Sequence, residues 1–281
     1  MPEESAFSKR RLRIALGTWV ALEATAPSPK QRDAAIDAAF GAVLEVERLM
    51  HPSRKGSDLA RINAAASPSR RPAPQRNCRR GILSVQRPTW ELLQLAKHLH
   101  DLSEGIFDPC LPEQPGRLTD VELLSDCRVR CHVPVRLDFG GFAKGYAIDR
   151  AITALLQHGC SSGLVNAGGD LRVFGPRAQI VFVRRQDGKF YQVELTDGAL
   201  AVSAFQAHHR PPEHRGYYRR TARVPATTSA GQPEAVIMAS EAIIADALTK
   251  CVLLGEPSMA ARVVRAMGGK DYSSLAWRAE V

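Results

Sequence analysis

The chain has 281 residues, of which 44% are hydrophobic and 24% are charged, a composition typical of a soluble globular protein. No apolar run reaches the roughly 18–20 residues of a membrane-spanning helix, which excludes an integral helical membrane protein. The net charge of +9 and the pI near 9.5 favour an acidic partner.

The amino terminus allows two interpretations, a secretory signal or a first β-strand. The basic triplet Lys9–Arg11 precedes the apolar stretch Ile14–Ala24, as in a signal peptide. Arg13 and Glu23 interrupt that stretch, however, and the alternation of apolar and polar residues over 12–24 favours a strand. No cysteine follows in a lipobox-like position, and the six cysteines of the chain form no CxxC pair. We therefore expect a cytoplasmic protein without a lipid anchor.

In the first half of the chain, apolar periodicity predicts helices separated by turns. The first helix is predicted over Lys30–Met50 and the third over Thr89–Ser103. Between them, a short helix contains Leu59–Ile62 and is capped by Ser57 or Asp58. A strand is expected over Gly81–Val85, and Val135–Gly141 reads as a strand that enters a tight turn. Pro109–Asp120 is predicted to be a proline-rich loop.

The second half of the chain mixes helices and strands without a regular order. Helices are predicted over Lys144–Gln157, Ala242–Leu254 and Met259–Met267, and strands over Gly163–Asn166, 171–175, 178–185, 190–195, Leu200–Ser203 and Glu234–Ala239. Asp187–Gly188 is typical of a hairpin turn. Because strict βαβ alternation is absent, we expect an α+β fold, a single layered domain of mixed sheets with packed helices over residues 1–281. Irregular loops are expected near 64–80 and 205–233.

The stretch Leu137–Asp170 concentrates glycines and polar residues around one predicted helix. Gly140–Gly141 ends the preceding strand, and Gly168–Gly169 lets the backbone turn after the following one. A glycine turn that leads into a helix presents unpaired amides at the positive end of the helix dipole, and Lys144 adds a full charge there. This arrangement suits a phosphate or pyrophosphate. The alternative is a packing unit without a ligand, because the stretch matches neither the P-loop nor the GxGxxG pattern.

Two arginine-rich segments account for much of the positive charge. Arg70–Arg80 and Arg210–Arg223 carry five arginines each. Nucleic-acid binding is one interpretation of such clusters, but neither lies within a recognised nucleic-acid-binding motif. We expect solvated loops at both places and no nucleic-acid partner.

Six short motifs follow one another along the chain. They are Leu16–Thr18 (LGT), Ser57–Asn63 (SDLARIN), Gly105–Pro109 (GIFDP), Leu137–Asp149 (LDFGGFAKGYAID), Leu164–Asp170 (LVNAGGD) and Ala245–Thr249 (ADALT). In this order they resemble the motifs of the ApbE family of FAD:protein FMN transferases. The resemblance covers most of the chain and implies an ApbE-like, T-fold-related architecture.

The resemblance also implies a reaction and a set of site residues. FMN would move from FAD to a Ser or Thr hydroxyl of an acceptor protein, in a Mg²⁺-dependent step that releases AMP, and the acceptor implied is a redox subunit. The residues that the resemblance places against FAD are Leu16, Asn63, Ile106, Phe107, Asp108, Asp138 and Lys144. The Mg²⁺ ligands that it implies are the Gly141 carbonyl, the Asp246 carboxylate and the Thr249 hydroxyl, of which Asp246 and Thr249 are also expected to be catalytic.

The carboxyl-terminal part of the chain departs from the family pattern. Lys250 stands where a threonine commonly follows the aspartate by four residues, and Thr249 lies three residues after Asp246. The family's HxIxDPxTG stretch has no clear counterpart, and Val202–Ala204 stands in place of a TSG. The alternative function is therefore a relative that keeps the fold and binds FAD but has lost efficient transfer. The structural alternatives are that Asp246 is a helix-surface acid, Lys144 a solvated first-turn residue and Thr249 an ordinary helical threonine. For Asp138 the alternative is a cap on the turn that follows it.

Overall fold

The computed structural model describes residues 7–65, 81–185, 188–204 and 234–273. In chain order the elements are β1 (Phe7–Ala15), β2 (Thr18–Ala26), α1 (Pro29–Met50), α2 (Asp58–Ala65), β3 (Ile82–Ser84), α3 (Arg87–Leu102), β4 (Val121–Leu124), β5 (Arg128–Cys131), α4 (Ala143–Gln157), β6 (Ser162–Ala167), β7 (Asp170–Phe174), β8 (Gln179–Arg184), β9 (Phe190–Leu195), β10 (Gly198–Ala204), β11 (Glu234–Ala239), α5 (Ala242–Leu254), α6 (Pro257–Ala266) and β12 (Lys270–Asp271). Among these helices, none is both long and apolar enough to cross a membrane.

The chain divides into two compact units. The first unit comprises Met1–Glu47, Lys144–His208 and Pro225–Val281, and the second comprises Arg48–Ala143 and His209–Val224. The single domain expected over residues 1–281 stays a prediction. The loops expected near 64–80 and 205–233 lie outside the described residues, apart from Ala64 and Ala65, which end α2. Asp187 of the expected hairpin turn also lies outside them.

The first unit is built on a seven-stranded sheet with the order β1-β2-β6-β7-β10-β11-β12. Each strand runs antiparallel to its neighbour. The hairpin β8–β9 packs its alternate residues Val181, Val183, Val193 and Leu195 into a buried cluster with β7, β10 and β11. This period-two burial is the pattern that the sequence predicted for these strands.

The prediction of one strand over residues 12–24 is wrong, because the segment forms the hairpin β1–β2. Leu16 and Gly17 make its two-residue turn with φ of 55° and 69°. Positive φ at both central positions is the geometry that matches the twist of paired strands. Glycine adopts it freely, whereas leucine seldom does, which is why the turn was not predicted.

The helices of the first unit confirm their predicted positions to within two residues at each end. Helix α1 buries Ile36, Phe40 and Val43 along one face, and the Arg13 guanidinium of β1 lies 4.5 Å from the Phe40 ring centre. Helix α5 packs against β7, β10 and β11 and is buried along most of its length. Polar side chains on α5 are therefore held away from water.

Helices α4 and α5 approach each other at their amino-terminal ends. A Cβ atom on Gly145 would lie 2.3 Å from the Ala242 carbonyl oxygen and 2.6 Å from the Ile243 Cα. Only glycine fits there, because the atoms in the way belong to the main chain of α5. Asp149 of α4 fixes the same contact, since its carboxylate accepts hydrogen bonds from the amides of Ala242 (3.0 Å) and Ile243 (2.8 Å).

We expect Gly145→Ala to destabilise the protein by roughly 1–3 kcal/mol, because the clash with α5 outweighs the gain in helix propensity. Gly41→Ala in α1 is the matched control, since no described atom lies within 4 Å of the added Cβ. That substitution should stabilise the protein by about 0.5–1 kcal/mol. Urea unfolding of both variants measures the difference, and an equal effect at the two positions would contradict the close approach of α4 and α5.

The second unit contains the small antiparallel sheet β3-β5-β4 with helices α2 and α3. Ser57 caps α2, because its hydroxyl accepts the Ala60 amide at 3.0 Å. The side chain of Asp58 is buried and accepts hydrogen bonds from the Gln86 amide (2.6 Å) and the Thr89 hydroxyl (2.9 Å). Asp58 therefore ties the start of α2 to the start of α3.

Two features of the second unit differ from the predictions. The strands β4 and β5 follow the predicted loop Pro109–Asp120 and were not predicted. Conversely, Val135–Gly141 is not a strand, since its pairing is limited to a single bridge between Leu137 and Cys110. Prolines explain the short pairing, because Pro109 and Pro134 lack the amide hydrogen that would extend the ladder.

Candidate functional site

Helix α5 places Asp246 at the centre of a buried polar cluster in the first unit. The residue has no exposed surface. Its Oδ2 accepts a hydrogen bond from the Gly145 amide at 3.1 Å, and its Oδ1 lies 2.5 Å from Lys250 Nζ. Asp246 therefore links the first turn of α4 to the next turn of its own helix. It is not the helix-surface acid of the structural alternative.

The Lys250 ammonium is enclosed by oxygen atoms. Besides Asp246 Oδ1, its Nζ lies 3.0 Å from the Asp246 carbonyl oxygen, 3.0 Å from Thr249 Oγ1 and 3.1 Å from Ser203 Oγ. Thr249 Oγ1 also contacts Ser203 Oγ at 2.9 Å and the Asp246 carbonyl oxygen at 2.7 Å. The structure thus brings the predicted pair Asp246 and Thr249 together, with an ammonium group between their oxygens.

A second ion pair adjoins the first. Lys144 at the start of α4 pairs with Asp170 at the start of β7, and Asp170 also accepts the Val202 amide at 3.2 Å. Burial raises the pKa of Asp170, as does the nearby Asp246 carboxylate, while the ammonium groups of Lys144 and Lys250 act in the opposite direction. We call Lys144, Asp170, Asp246 and Lys250 the four-charge cluster.

The members of the four-charge cluster differ in exposure. The side chain of Lys144 is 29% exposed, whereas those of Lys250, Asp170 and Asp246 are 8% exposed or less. Lys144 is therefore the member that reaches solvent while remaining paired. It is neither a freely solvated first-turn residue nor a buried one.

Asp149 is not a member of the four-charge cluster, but it fixes the position of the helix that carries Asp246. In addition to capping α5, its carboxylate pairs with Arg172 Nη1 at 2.6 Å. Burial raises the pKa of Asp149, and the bonds from the Ile243 and Ala242 amides and from Arg172 act against that rise. This carboxylate fixes α5 relative to α4 and β7, and so fixes Asp246.

The predicted flavin-contacting residues of the GIFDP turn lie in the second unit. Phe107 is buried against Phe142 with ring centres 5.3 Å apart, and the Ile106 amide donates to the Ser103 carbonyl at 3.1 Å. Asp108 is 2% exposed, and its Oδ1 accepts the Cys110 amide at 2.9 Å. Its Oδ2 is buried and has no hydrogen-bond partner within the described part of the chain.

The remaining predicted residues hold main-chain turns. Asp138 Oδ1 accepts the Gly140 amide at 2.7 Å, and Gly141 follows in the same turn of the second unit. Asn63 donates to the Leu137 carbonyl at 2.9 Å and accepts the Leu137 amide at 2.7 Å. Leu16, in the first unit, lies in the β1–β2 turn, where its amide donates to Glu47. The flavin-binding roles expected of these residues, and the metal-binding role expected of Gly141, stay predictions.

Sequence reasoning did not assign a role to three residues of the site. Asp170 ends the motif LVNAGGD and Asp149 ends LDFGGFAKGYAID, and a charged residue beside an apolar run was a usable signal. Ser203 stood out only as a departure from the family pattern. Its contact with Lys250 joins residues 47 positions apart and has no local signature.

The donor set for a divalent metal is already in use. Asp246 Oδ1 and Thr249 Oγ1, both expected to bind Mg²⁺, are each within 3.0 Å of Lys250 Nζ. Among the described residues, no group of three or more His, Cys, Asp or Glu side chains is arranged to hold a metal ion. The residues present therefore do not suit a divalent cation while Lys250 keeps this position.

Comparisons with known proteins give the family. Residues 16–115 and 116–272 match the ApbE family. An FAD:protein FMN transferase of Treponema pallidum (strain Nichols) is 23% identical over 197 residues, which cover 59% of this chain and 51% of the relative. The match thus spans about half the length of that relative.

Two crystal structures are similar to the protein over nearly their whole length. The ApbE protein of Thermotoga maritima has a TM-score of 0.70 at 22% identity, covering 94% of this chain and 93% of the other. The flavinyl transferase ApbE of Pseudomonas stutzeri, in its apo form, has a TM-score of 0.69 at 19% identity, with 95% and 90% covered. This likeness confirms the α+β, ApbE-like fold. With the match to residues 16–272, it follows that the chain belongs to the ApbE family.

Proposed function

We propose that this protein transfers FMN from FAD to a Ser or Thr hydroxyl of an acceptor protein, with release of AMP. The observation that carries the proposal is that three residues of the matched motifs, Lys144, Asp170 and Asp246, meet in the four-charge cluster. Membership of the ApbE family supports it, since the curated relative bears the name of this activity.

The proposed reaction exchanges one phosphorus–oxygen bond for another. The acceptor hydroxyl oxygen bonds to the FMN-side phosphorus of FAD, and the bond from that phosphorus to the bridging oxygen breaks. AMP leaves with the electron pair of the broken bond, and the hydroxyl proton is lost to solvent. Such a step requires positioned reactants and neutralisation of the charge on the phosphates.

Lys144 is the residue best placed to contact a phosphate in this proposal. Its ammonium lies at the amino-terminal end of α4, where the positive end of the helix dipole also favours an anion. Its partner Asp170 is buried and held by the Val202 amide, so it fixes the direction of the lysine side chain. A phosphate oxygen beside Lys144 would share the ammonium with Asp170.

Replacing Lys144 by glutamine should raise the dissociation constant for FAD about 10-fold or more, because one charge-assisted hydrogen bond is lost. The amide of glutamine keeps a donor for Asp170, so the fold is expected to survive. Quenching of flavin fluorescence measures the affinity, with Lys270→Gln on the exposed strand β12 as control. Equal affinity of Lys144→Gln and wild type would remove Lys144 from the binding site.

In the second unit, Asp108 is the best supported of the predicted flavin contacts. A buried carboxylate oxygen without a partner is rare in folded proteins, because the lost hydration is not replaced. An N–H group of a bound flavin would satisfy Asp108 Oδ2. Leu16, Asn63, Ile106, Phe107 and Asp138 are retained in the proposal on the resemblance alone.

The dependence on Mg²⁺ also stays a prediction from the resemblance. Because Lys250 already contacts the oxygens of Asp246 and Thr249, we assign no step of the reaction to a metal ion. The acceptor is proposed to be a redox subunit that presents the Ser or Thr, and the cytoplasm remains the proposed compartment.

The test is an assay of covalent flavin transfer. The purified protein is incubated with FAD and an acceptor that carries the family's target motif, and flavin fluorescence is read on a denaturing gel together with AMP release. We expect one AMP for each flavin attached, and no band with an acceptor whose target hydroxyl is replaced by alanine. Binding of FAD without a fluorescent band would contradict the transferase proposal.

The second candidate is a relative that binds FAD without efficient transfer. The contact of Lys250 with Asp246 and Thr249 favours it, because both residues were expected to be catalytic. In the same assay this candidate predicts a measurable FAD affinity but no AMP release with any acceptor. The two functions are thus separated by one measurement.

A further inference from the structure

The surroundings of Lys250 Nζ have the form of a small cation site. Four oxygen atoms lie 2.5–3.1 Å from the nitrogen, from a carboxylate, a main-chain carbonyl and two hydroxyl groups. These are the hard oxygen donors that Mg²⁺ takes in proteins, but at the longer distances typical of an ammonium hydrogen bond. The side chain is only 8% exposed, so the ammonium is held within the protein.

We propose that Lys250 Nζ is the resident cation of this site and takes the place of a divalent metal, so that FAD binding and transfer by this chain need none. The proposal rests on the proposed function, which it deepens. The proposal concerns one residue of this chain. It predicts that the site of this chain holds no divalent metal, in contrast to the site of a relative with a neutral residue at this position.

The charge balance of the first unit supports this assignment. The four-charge cluster pairs two carboxylates with two ammonium groups, so the buried charges of Asp246 and Asp170 are already compensated. A divalent cation at Asp246 would add two positive charges next to Lys250. Such a site is repulsive unless Lys250 leaves it, and Lys250 is one of the buried residues of α5.

The geometry of α5 explains how the lysine reaches its position. Lys250 follows Asp246 by four residues, which places both side chains on one face of the helix. Thr249 and Ser203 supply the two hydroxyl groups of the site, the latter from β10. The site is thus built from one helix and one strand of the first unit, both well packed.

Metal binding tests the proposal independently of catalysis. We would measure Mn²⁺ binding by electron paramagnetic resonance and calorimetry for wild type, Lys250→Ser and Lys250→Met. Serine supplies an oxygen donor and removes the charge, whereas methionine removes the charge without a hard donor. We expect Lys250→Ser to bind Mn²⁺ roughly 100-fold or more tightly than wild type, because the repulsive charge is gone. Lys250→Met should bind more weakly than Lys250→Ser, and Lys270→Met should match wild type.

Thermal unfolding gives a second readout, which covers the case of a poorly folded variant. Mn²⁺ should raise the Tm of Lys250→Ser, since the metal compensates Asp246, and leave the Tm of wild type unchanged. A single Mn²⁺ site in wild type that is lost on Asp246→Asn would overturn the proposal. A Tm shift of the same size in wild type and Lys250→Ser would also overturn it.

Chelation separates this inference from the proposed function. We expect wild-type transfer to be equal in EDTA and in Mg²⁺, and Lys250→Ser to transfer only with the metal. Transfer by wild type that stops in EDTA would overturn the inference while upholding the function. No transfer under any condition, combined with metal binding gained by Lys250→Ser, would overturn the function while upholding the metal-free state of the wild-type site.

Discussion

Asp246→Ala is expected to reduce FMN transfer at least about 100-fold, because the cluster that orients Lys250 and the first turn of α4 loses its centre. The same change is expected to lower the free energy of unfolding by roughly 3–5 kcal/mol. The cause is that Lys250 keeps a buried ammonium group without its carboxylate partner. Denaturant unfolding and the covalent flavin assay measure the two effects separately.

A double substitution distinguishes the two consequences. Asp246→Ala combined with Lys250→Met removes both charges, so most of the stability lost in the single variant should return while transfer stays as low as in the single variant. Asp37→Ala on α1 is the control for loss of an acid, since the Asp37 side chain is 58% exposed and its ion pairs lie on the surface. A single variant as stable as the double variant would show that Lys250 does not depend on Asp246.

After Asp246→Ala, the next largest loss of stability is expected for Asp58→Ala, which should destabilise the second unit by about 3 kcal/mol. The carboxylate is buried and accepts the Gln86 amide and the Thr89 hydroxyl, so alanine removes the acceptor of both donors and leaves the buried Thr89 hydroxyl without it. The ion pair with Arg61 at 3.0 Å is lost as well. Hydrogen exchange of the Gln86 amide and urea unfolding measure the loss.

Two further variants test whether the loss of stability comes from the missing Asp58 carboxylate. Asp58→Asn keeps one acceptor oxygen and should lose less stability than Asp58→Ala. Asp101→Ala, on the exposed side of α3, should change stability by less than about 0.5 kcal/mol. Faster exchange of the Gln86 amide in Asp101→Ala than in Asp58→Ala would contradict the role given to the Asp58 carboxylate.

The sequence was sufficient where a segment carries its own pattern. The helix over Ala242–Leu254 and the alternating strands β8 and β9 followed from apolar periodicity, because burial on one face leaves a local signature. The β1–β2 turn did not, because its residue Leu16 adopts a conformation that leucine rarely takes. Strands β4 and β5 have four residues each, too few for a period to stand out.

In the candidate site, too, some features followed from the sequence and others depend on tertiary structure. The motifs located Asp246, Thr249 and Lys144, and spacing alone placed Lys250 on the same helical face as Asp246. The pairing of Lys144 with Asp170 joins residues 26 positions apart, and only the packing of α4 on the sheet creates it. Sequence reasoning could name the residues of the site, but the partner of each charge depends on tertiary structure.

The occupancy of a cation site is determined differently when the cation is part of the polypeptide than when it is a bound metal ion. Its occupancy is set when α5 folds and does not follow mass action, so no concentration of free metal and no competing metal changes it. The site around Lys250 is therefore insensitive to mismetallation and to metal starvation. In exchange, the chain holds one fixed positive charge at that point instead of two, and the ammonium cannot exchange its ligands as a hydrated ion does.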